Sequence, residues 1–226
     1  DLHSFPTRRS SDLEIETALQ YLHEADADVV TYGWLRCDEN GNCWETMSEN
    51  YEVLVDPENI LYRVLTNYSS CGGGYPWNKL WKTAALKRIQ LFDQQLCYFE
   101  DLEWCVRMLL QINRLVVCPK CLYCYSVHPL SVSNIDKNKE TKEISYHQAM
   151  ERILDNLRGF PRLSTWIENK YHPEIINGIL FAIKNGYTKL YRYLLGRFYF
   201  SKAKIKAACW ISVKMKTRYY FINLLF

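Results

Sequence analysis

At 226 residues the chain can hold one large domain or one and a half, and a hydrophobic content of 48% with 15% aromatics is enough to build a core. That composition excludes a disordered chain, and no apolar run reaches the ~18 residues of a membrane span. The net charge of +3 hides a lopsided distribution, since residues 184–226 carry ten basic side chains and no acid, on a body that is mildly acidic. Nine cysteines, several inside apolar runs, read as reduced thiols of a cytosolic protein.

The first thirteen residues (DLHSFPTRRSSDL) are polar and aperiodic and resemble a translated sequencing-adapter read. Residues 1–13 are therefore set apart as a non-native or disordered segment. Residues 14–25 are predicted to be a helix with Ile15, Leu19 and Leu22 on one face. Residues 28–35, rich in β-branched and aromatic side chains, read as a strand. Asp38-Glu39-Asn40-Gly41 reads as a hairpin turn and residues 43–47 as the returning strand. Between them, Asp26-Ala27-Asp28 has the letters of a metal-binding Asp-x-Asp but the position of a loop and strand start. Asp56-Pro57 opens a helix, with Asp56 as N-cap and Pro57 in the first turn.

Residues 69–74 (SSCGGG) let backbone hinge or approach a ligand closely. No Gly-Lys-Ser/Thr follows, so this is not a phosphate-binding loop. Tyr75-Pro76-Trp77-Asn78-Lys79-Leu80-Trp81 comes next, then a short helix. Trp77 and Trp81 could be core residues and Lys79 a solvated charge. A helix is expected over residues 102–113, then short strands at 114–118 and 122–127 broken by Pro119, and a polar loop from His128 to Ser133. Cys118-x2-Cys121-x2-Cys124 invites a zinc reading, but no second CxxC or CxxH lies at usable spacing. In an extended segment Cys118 and Cys124 also face away from Cys121. From Asp136 only helices are expected, at 139–157, 163–170 and 173–198, with a weaker one over 201–226.

Glu100-Asp101 opens the central helix. At 100° per residue, Glu100, Glu103, Arg107 and Gln111 form a polar stripe, with Glu103 and Arg107 a favourable i,i+4 pair. Asp101 points the other way, in line with Cys105, Met108 and Ile112. A carboxylate on an apolar face needs a reason. It either complements the helix N-terminus or faces a cavity and acts there as a base.

The order of strand 28–35, Trp77-Asn78-Lys79-Leu80, Phe92, Glu100-Asp101, Tyr123-Cys124-Tyr125 and His128-Pro129-Leu130-Ser131-Val132-Ser133 resembles the second half of a family-two glycosyltransferase with the GT-A fold. Such enzymes build bacterial surface polysaccharides. The resemblance covers roughly residues 14–134 and implies an α/β fold. Residues 14–135 would be a truncated, Rossmann-like GT-A domain lacking its N-terminal nucleotide-binding half. An all-α extension would follow at 136–226. It implies an inverting transfer from a nucleotide-sugar donor to a hydroxyl of a glycan or lipid-linked glycan acceptor. Asp101 would be the general base and Glu100 its support. Trp77, Asn78, Lys79, His128, Ser131 and Ser133 would contact substrate, and His128 is also a candidate metal contact. The family's divalent cation (Mg or Mn) would lack its Asp-x-Asp ligands here. The Arg that follows the second Tyr in the family is Ser126 in this chain.

Basic residues interleaved with Tyr, Trp and Phe in 184–226 suit an interfacial helix on an anionic leaflet, and nucleic acid is not expected as a partner. The plain alternative is a solvated basic bundle. The expected location is cytoplasmic, peripheral at the inner face of the membrane. An alternative function is a non-catalytic, membrane-associated scaffold that retains part of the fold.

Overall fold

The computed structural model describes residues 8–38, 41–66, 74–86, 91–127, 139–209 and 213–225. The chain divides into two compact units. The first is drawn from the residues up to Asp93 and from 101–135, the second from 94–100 and the residues after Asp136.

The first unit is a five-stranded mixed sheet with helices. Helix α1 (Arg8–Glu24) leads into β1 (Val29–Cys37), the strand to which three others pair. Parallel to β1 on one side runs β5 (Leu115–Ser126). On the other side β4 (Lys79–Trp81) pairs its first half and β2 (Cys43–Met47) its second, both antiparallel. The short β3 (Glu52–Leu54) closes the far edge against β5. Val29, Val30 and Thr31 are fully buried, as β-branched residues in a central strand should be.

Helix α1 begins six residues earlier than expected, inside the segment set apart on sequence grounds. Its buried stripe also differs. Ala18, Leu22 and Ala25 pack on Val30, Val116 and Cys118, while Ile15 and Leu19 are exposed. Two alanines let the helix approach the sheet, and spacing of bulky residues alone pointed to the wrong face.

β1 and β2 pair antiparallel as the expected hairpin requires, while Glu39 and Asn40 of its turn lie outside the described residues. The Asp38 carboxylate accepts hydrogen bonds from the Asn42 backbone and side-chain amides at 2.9 Å each. The cysteines flanking the turn, Cys37 and Cys43, are bonded as a disulfide, which corrects the reading of all thiols as reduced. Helix α2 (Pro57–Thr66) has the anticipated cap, with the Asn59 amide donating to Asp56 Oδ2 at 3.0 Å. A single turn, α3 (Thr83–Leu86), and then α4 (Glu100–Leu109) follow. The two strands expected around Pro119 are one strand, β5. Its register against β1 shifts on both sides of Gly33, so the chain absorbs the proline as an irregularity rather than a break.

The second unit is helical: α5 (Lys139–Asn156), α6 (Pro161–Asn185), α7 (Thr188–Phe200), α8 (Lys202–Cys209) and α9 (Val213–Leu225). Pro173 was expected to start a new helix, but α6 runs through it. The break falls instead at Gly186, whose φ of 70° places it in the left-handed region. There the Tyr187 amide reaches back to the Ala182 carbonyl at 2.9 Å, an αL termination that glycine permits. The core of this unit includes Ile153, Leu157, Ile176, Ile179, Leu190, Leu194 and Phe198, all fully buried.

Candidate active site

Asp101 sits in the first turn of α4, on the side predicted from helical phase. Cys105 and Met108, below it on the same stripe, are fully buried, and Ile112 beyond the helix nearly so. The opposite stripe is less open than its polarity suggested. Glu103 is buried and held by Arg107 at 2.7 Å, and Arg107 also donates to the Leu91 carbonyl at 3.1 Å. The charge of Glu103 is thus balanced by an ion pair one helical turn away.

Burial raises the Asp101 carboxyl above the ordinary carboxylate range, opposed by a hydrogen bond from the Leu102 amide at 2.8 Å and by the Lys79 ammonium. Lys79 was open to reading as a solvated charge, and the structure overturns that. Its side chain is buried in β4, donating to the Tyr75 carbonyl at 2.8 Å and to Asn78 Oδ1 at 2.7 Å. Asn78 is itself fully buried, and its carbonyl accepts from the Tyr32 amide at 3.1 Å. The pairing of β4 with β1 therefore fixes Lys79, whose charge is a minor influence on Asp101 beside burial and the Leu102 amide. Cys105, one turn below, feels both charges, and burial pushes its thiol up to about 12.

Trp77 is not helical and does not stack on Trp81. It forms the centre of an aromatic wall, with Tyr75 stacked at 4.9 Å, Tyr123 at 4.7 Å, Tyr125 tilted at 5.4 Å and Trp34 edge-on at 5.7 Å. The Tyr32 hydroxyl donates to the Trp77 carbonyl at 3.1 Å. Trp34 is buried, Tyr75, Trp77 and Tyr125 are partly covered and Tyr123 is exposed, so part of the aromatic surface stays open to a ligand. Gly74 makes this loop possible, since a Cβ there would collide with the Leu102 Cα, next to Asp101. Tyr123, Tyr125 and Trp34 were not among the candidate site residues. Their signal was the alternation of Tyr123 and Tyr125 along one strand face.

Glu100 is half-buried at the start of α4. The residue before it, Phe99, has a φ of 63°, an uncommon conformation for a bulky side chain and of the kind that clusters at functional sites. His128, Ser131 and Ser133 lie outside the described residues.

The carboxylates of Asp26-Ala27-Asp28 serve the fold. Asp28 Oδ2 accepts from the Asn113 and Arg114 amides at 2.7 and 3.1 Å, and Asp26 pairs with Lys82 at 3.0 Å. Among the described residues no oxygen-rich ligand set suits a divalent magnesium or manganese ion, which prefers carboxylates and water.

No family model matches the chain, and no curated protein does. Among solved structures, the crystal structure of S. aureus TarS 1–349 in complex with UDP is similar over 64% of this chain, at 21% identity and a TM-score of 0.43. The chain spans only 36% of that structure's chain, and so loose a likeness carries no argument about the site.

Proposed function

We propose that the first unit belongs to a nucleotide-sugar glycosyltransferase of the inverting kind, with Asp101 as general base. The motif order in the sequence supports this reading. The observation that carries it is a half-buried Asp101 carboxylate of raised basicity. A sugar hydroxyl is a poor nucleophile. A carboxylate within hydrogen-bonding reach of it takes its proton as the bond to the anomeric carbon forms. Desolvation makes Asp101 a stronger base than an exposed carboxylate, while the Leu102 amide and, more weakly, the Lys79 charge favour its ionised form. The rings around Trp77 would offer the apolar faces of a sugar a surface to stack on.

The acceptor would be a glycan or lipid-linked glycan. The decisive experiment introduces Asp101→Asn into the protein supplied with the nucleotide-binding half that the family resemblance implies, and measures sugar transfer and donor binding over a panel of nucleotide sugars. Transfer should fall by ~10²–10⁴ with donor affinity unchanged. Near-parental transfer would overturn the assignment.

A membrane-surface role for the helical unit is favoured by a separate observation. Phe200, the last residue of α7, is 95% exposed and lies two residues before Lys202 at the start of α8. Helix α9 carries Leu224, 84% exposed, and half-exposed Phe221 together with Lys214 and Arg218. Exposed apolar side chains beside basic ones suit an anionic leaflet. No helix among the described residues is long and apolar enough to cross a membrane. Flotation with anionic and with neutral liposomes tests this; no preference for anionic lipid would end it.

A further inference from the structure

Three sulfurs converge where the β1–β2 hairpin meets β5. Cys37 opposes Cys43 across the hairpin and is bonded to it. Leu35 opposes Cys124 and Cys37 opposes Ser126 in the parallel pairing, so Cys124 lies diagonally beside Cys37 on the same sheet face. The Cys124 thiol donates to Cys37 Sγ at 3.0 Å, and all three sulfurs lie within 4.8 Å of one another. Cys37 is buried beneath, while Cys43 and Cys124 are exposed. The cysteines of the Cys118-x2-Cys121-x2-Cys124 motif do not gather. Cys118 is buried under α1, and Cys121 donates instead to the Met47 carbonyl at 3.5 Å.

We propose that Cys37, Cys43 and Cys124 form a thiol–disulfide exchange site, in which the crosslink passes between the hairpin and the β1–β5 pair. The Cys124 thiol gives its proton to water and the thiolate attacks Cys37 Sγ. The Cys37–Cys43 bond breaks as the Cys37–Cys124 bond forms, and Cys43 leaves as a thiolate that takes up a proton. One disulfide and one thiol stand on each side of the step, so it needs neither oxidant nor reductant. The Cys124 sulfur stands 3.0 Å from Cys37 Sγ, which directs its attack there, while exposed Cys43 and Cys124 are the two partners that solvent and reagents reach.

The two pairings differ in what they hold. With Cys43 the bond closes the hairpin. With Cys124 it staples β1 to β5 between Tyr123 and Tyr125, the two residues that flank Trp77 in the aromatic wall. The exchange thereby ties the end of β5 to a covalent state, and it requires nothing of the transferase reading.

The test is disulfide mapping on the full chain. Free thiols are trapped with N-ethylmaleimide at acidic pH and the unreduced peptides are identified by mass spectrometry. The parent should yield both Cys37–Cys43 and Cys37–Cys124 peptides, the minor one growing when the protein is held at alkaline pH before trapping. After incubation with oxidised glutathione, Cys43→Ser should yield only Cys37–Cys124, and Cys124→Ser only Cys37–Cys43. Both serines replace exposed side chains, and circular dichroism checks that each variant is folded. Cys37 and Cys124 both remaining open to alkylation in folded, glutathione-treated Cys43→Ser would overturn the proposal. So would one retained equivalent of zinc that shields all three thiols in the parent, which would make the cluster a thiolate metal site instead.

Discussion

The two units bury polar groups in different ways. In the helical unit they are closed in upon one another. The Glu151 carboxylate accepts from Arg197 at 2.8 and 3.2 Å and from the Tyr193 hydroxyl at 3.0 Å, while His147 Nδ1 meets the Tyr171 hydroxyl at 3.3 Å. Several of the tail's basic groups are thus already engaged within their own unit, Lys204 with Glu168 at 2.6 Å among them. In the sheet unit, buried Asn78 and Lys79 stand behind a carboxylate and a set of rings that are only half covered. A satisfied, enclosed network specifies packing. Asn78 and Lys79 are hydrogen-bonded too, but the side chains in front of them remain partly open to solvent.

That contrast can be broken at several points. The largest effect is expected at Asp101, where the asparagine variant should lose ~10²–10⁴ in transfer, while Glu151→Gln in the helical unit should leave transfer unchanged once the protein is folded. Next comes packing. A Cβ at Gly178 would sit 2.5 Å from Leu194 Cδ1 and 3.0 Å from His147 Nε2. Gly178→Ala should therefore cost about 1–3 kcal/mol in a denaturant titration. Gly196, also helical but with nothing within 4 Å of where a Cβ would stand, is its control. There alanine should stabilise by about 0.5–1 kcal/mol.

Smaller effects follow from titration. Burial lowers the His147 pKa to about 4, with the Arg197 charge adding to it. The neutral ring faces Tyr171 and Tyr146, with Gly178 close to its Nε2. Its folded pKa lies below its unfolded value, so its contribution is complete above pH ~6.5 and is lost as pH falls through the folded value. His147→Gln should flatten the stability profile across that window. Asp101 has the opposite sign. Its folded pKa is raised, so its contribution is complete below the ordinary carboxylate range and is lost as pH rises through the folded value. Asp101→Asn should accordingly be more stable than the parent at neutral pH, with the gap closing on acidification. A stability loss at neutral pH would mean that Asp101 serves the fold rather than a reaction.

Much of this was legible in the sequence, for particular reasons. The phase of Asp101 against Cys105 and Met108 follows from helix geometry alone, and the Asp56 cap and the hairpin turn follow from local chemistry that needs no tertiary context. What was hidden depends on distant partners. Lys79 is buried because β4 pairs with β1, and nothing in Asn78-Lys79 announces that pairing. Ala18 and Ala25 face the sheet because small side chains allow close approach, which a search for bulky periodicity overlooks. The Cys37–Cys43 bond follows from a hairpin register that puts the two residues opposite each other, whereas a count of cysteines weighs only the compartment. Pro173 lies inside α6, and the helix ends where Gly186 can adopt a positive φ.

The irregularity at Pro119 sets the parity of everything after it. Tyr32 pairs with Cys118, but Trp34 pairs with Tyr123, so β5 gains three residues on β1 over that short span. Three is odd, and side chains alternate with every residue. The rings of Tyr123 and Tyr125 consequently share a face with Trp34, and the Cys124 sulfur shares the other with Cys37. Adding or removing a single residue there would trade the two faces, sending the sulfur to the rings and the rings to the sulfur.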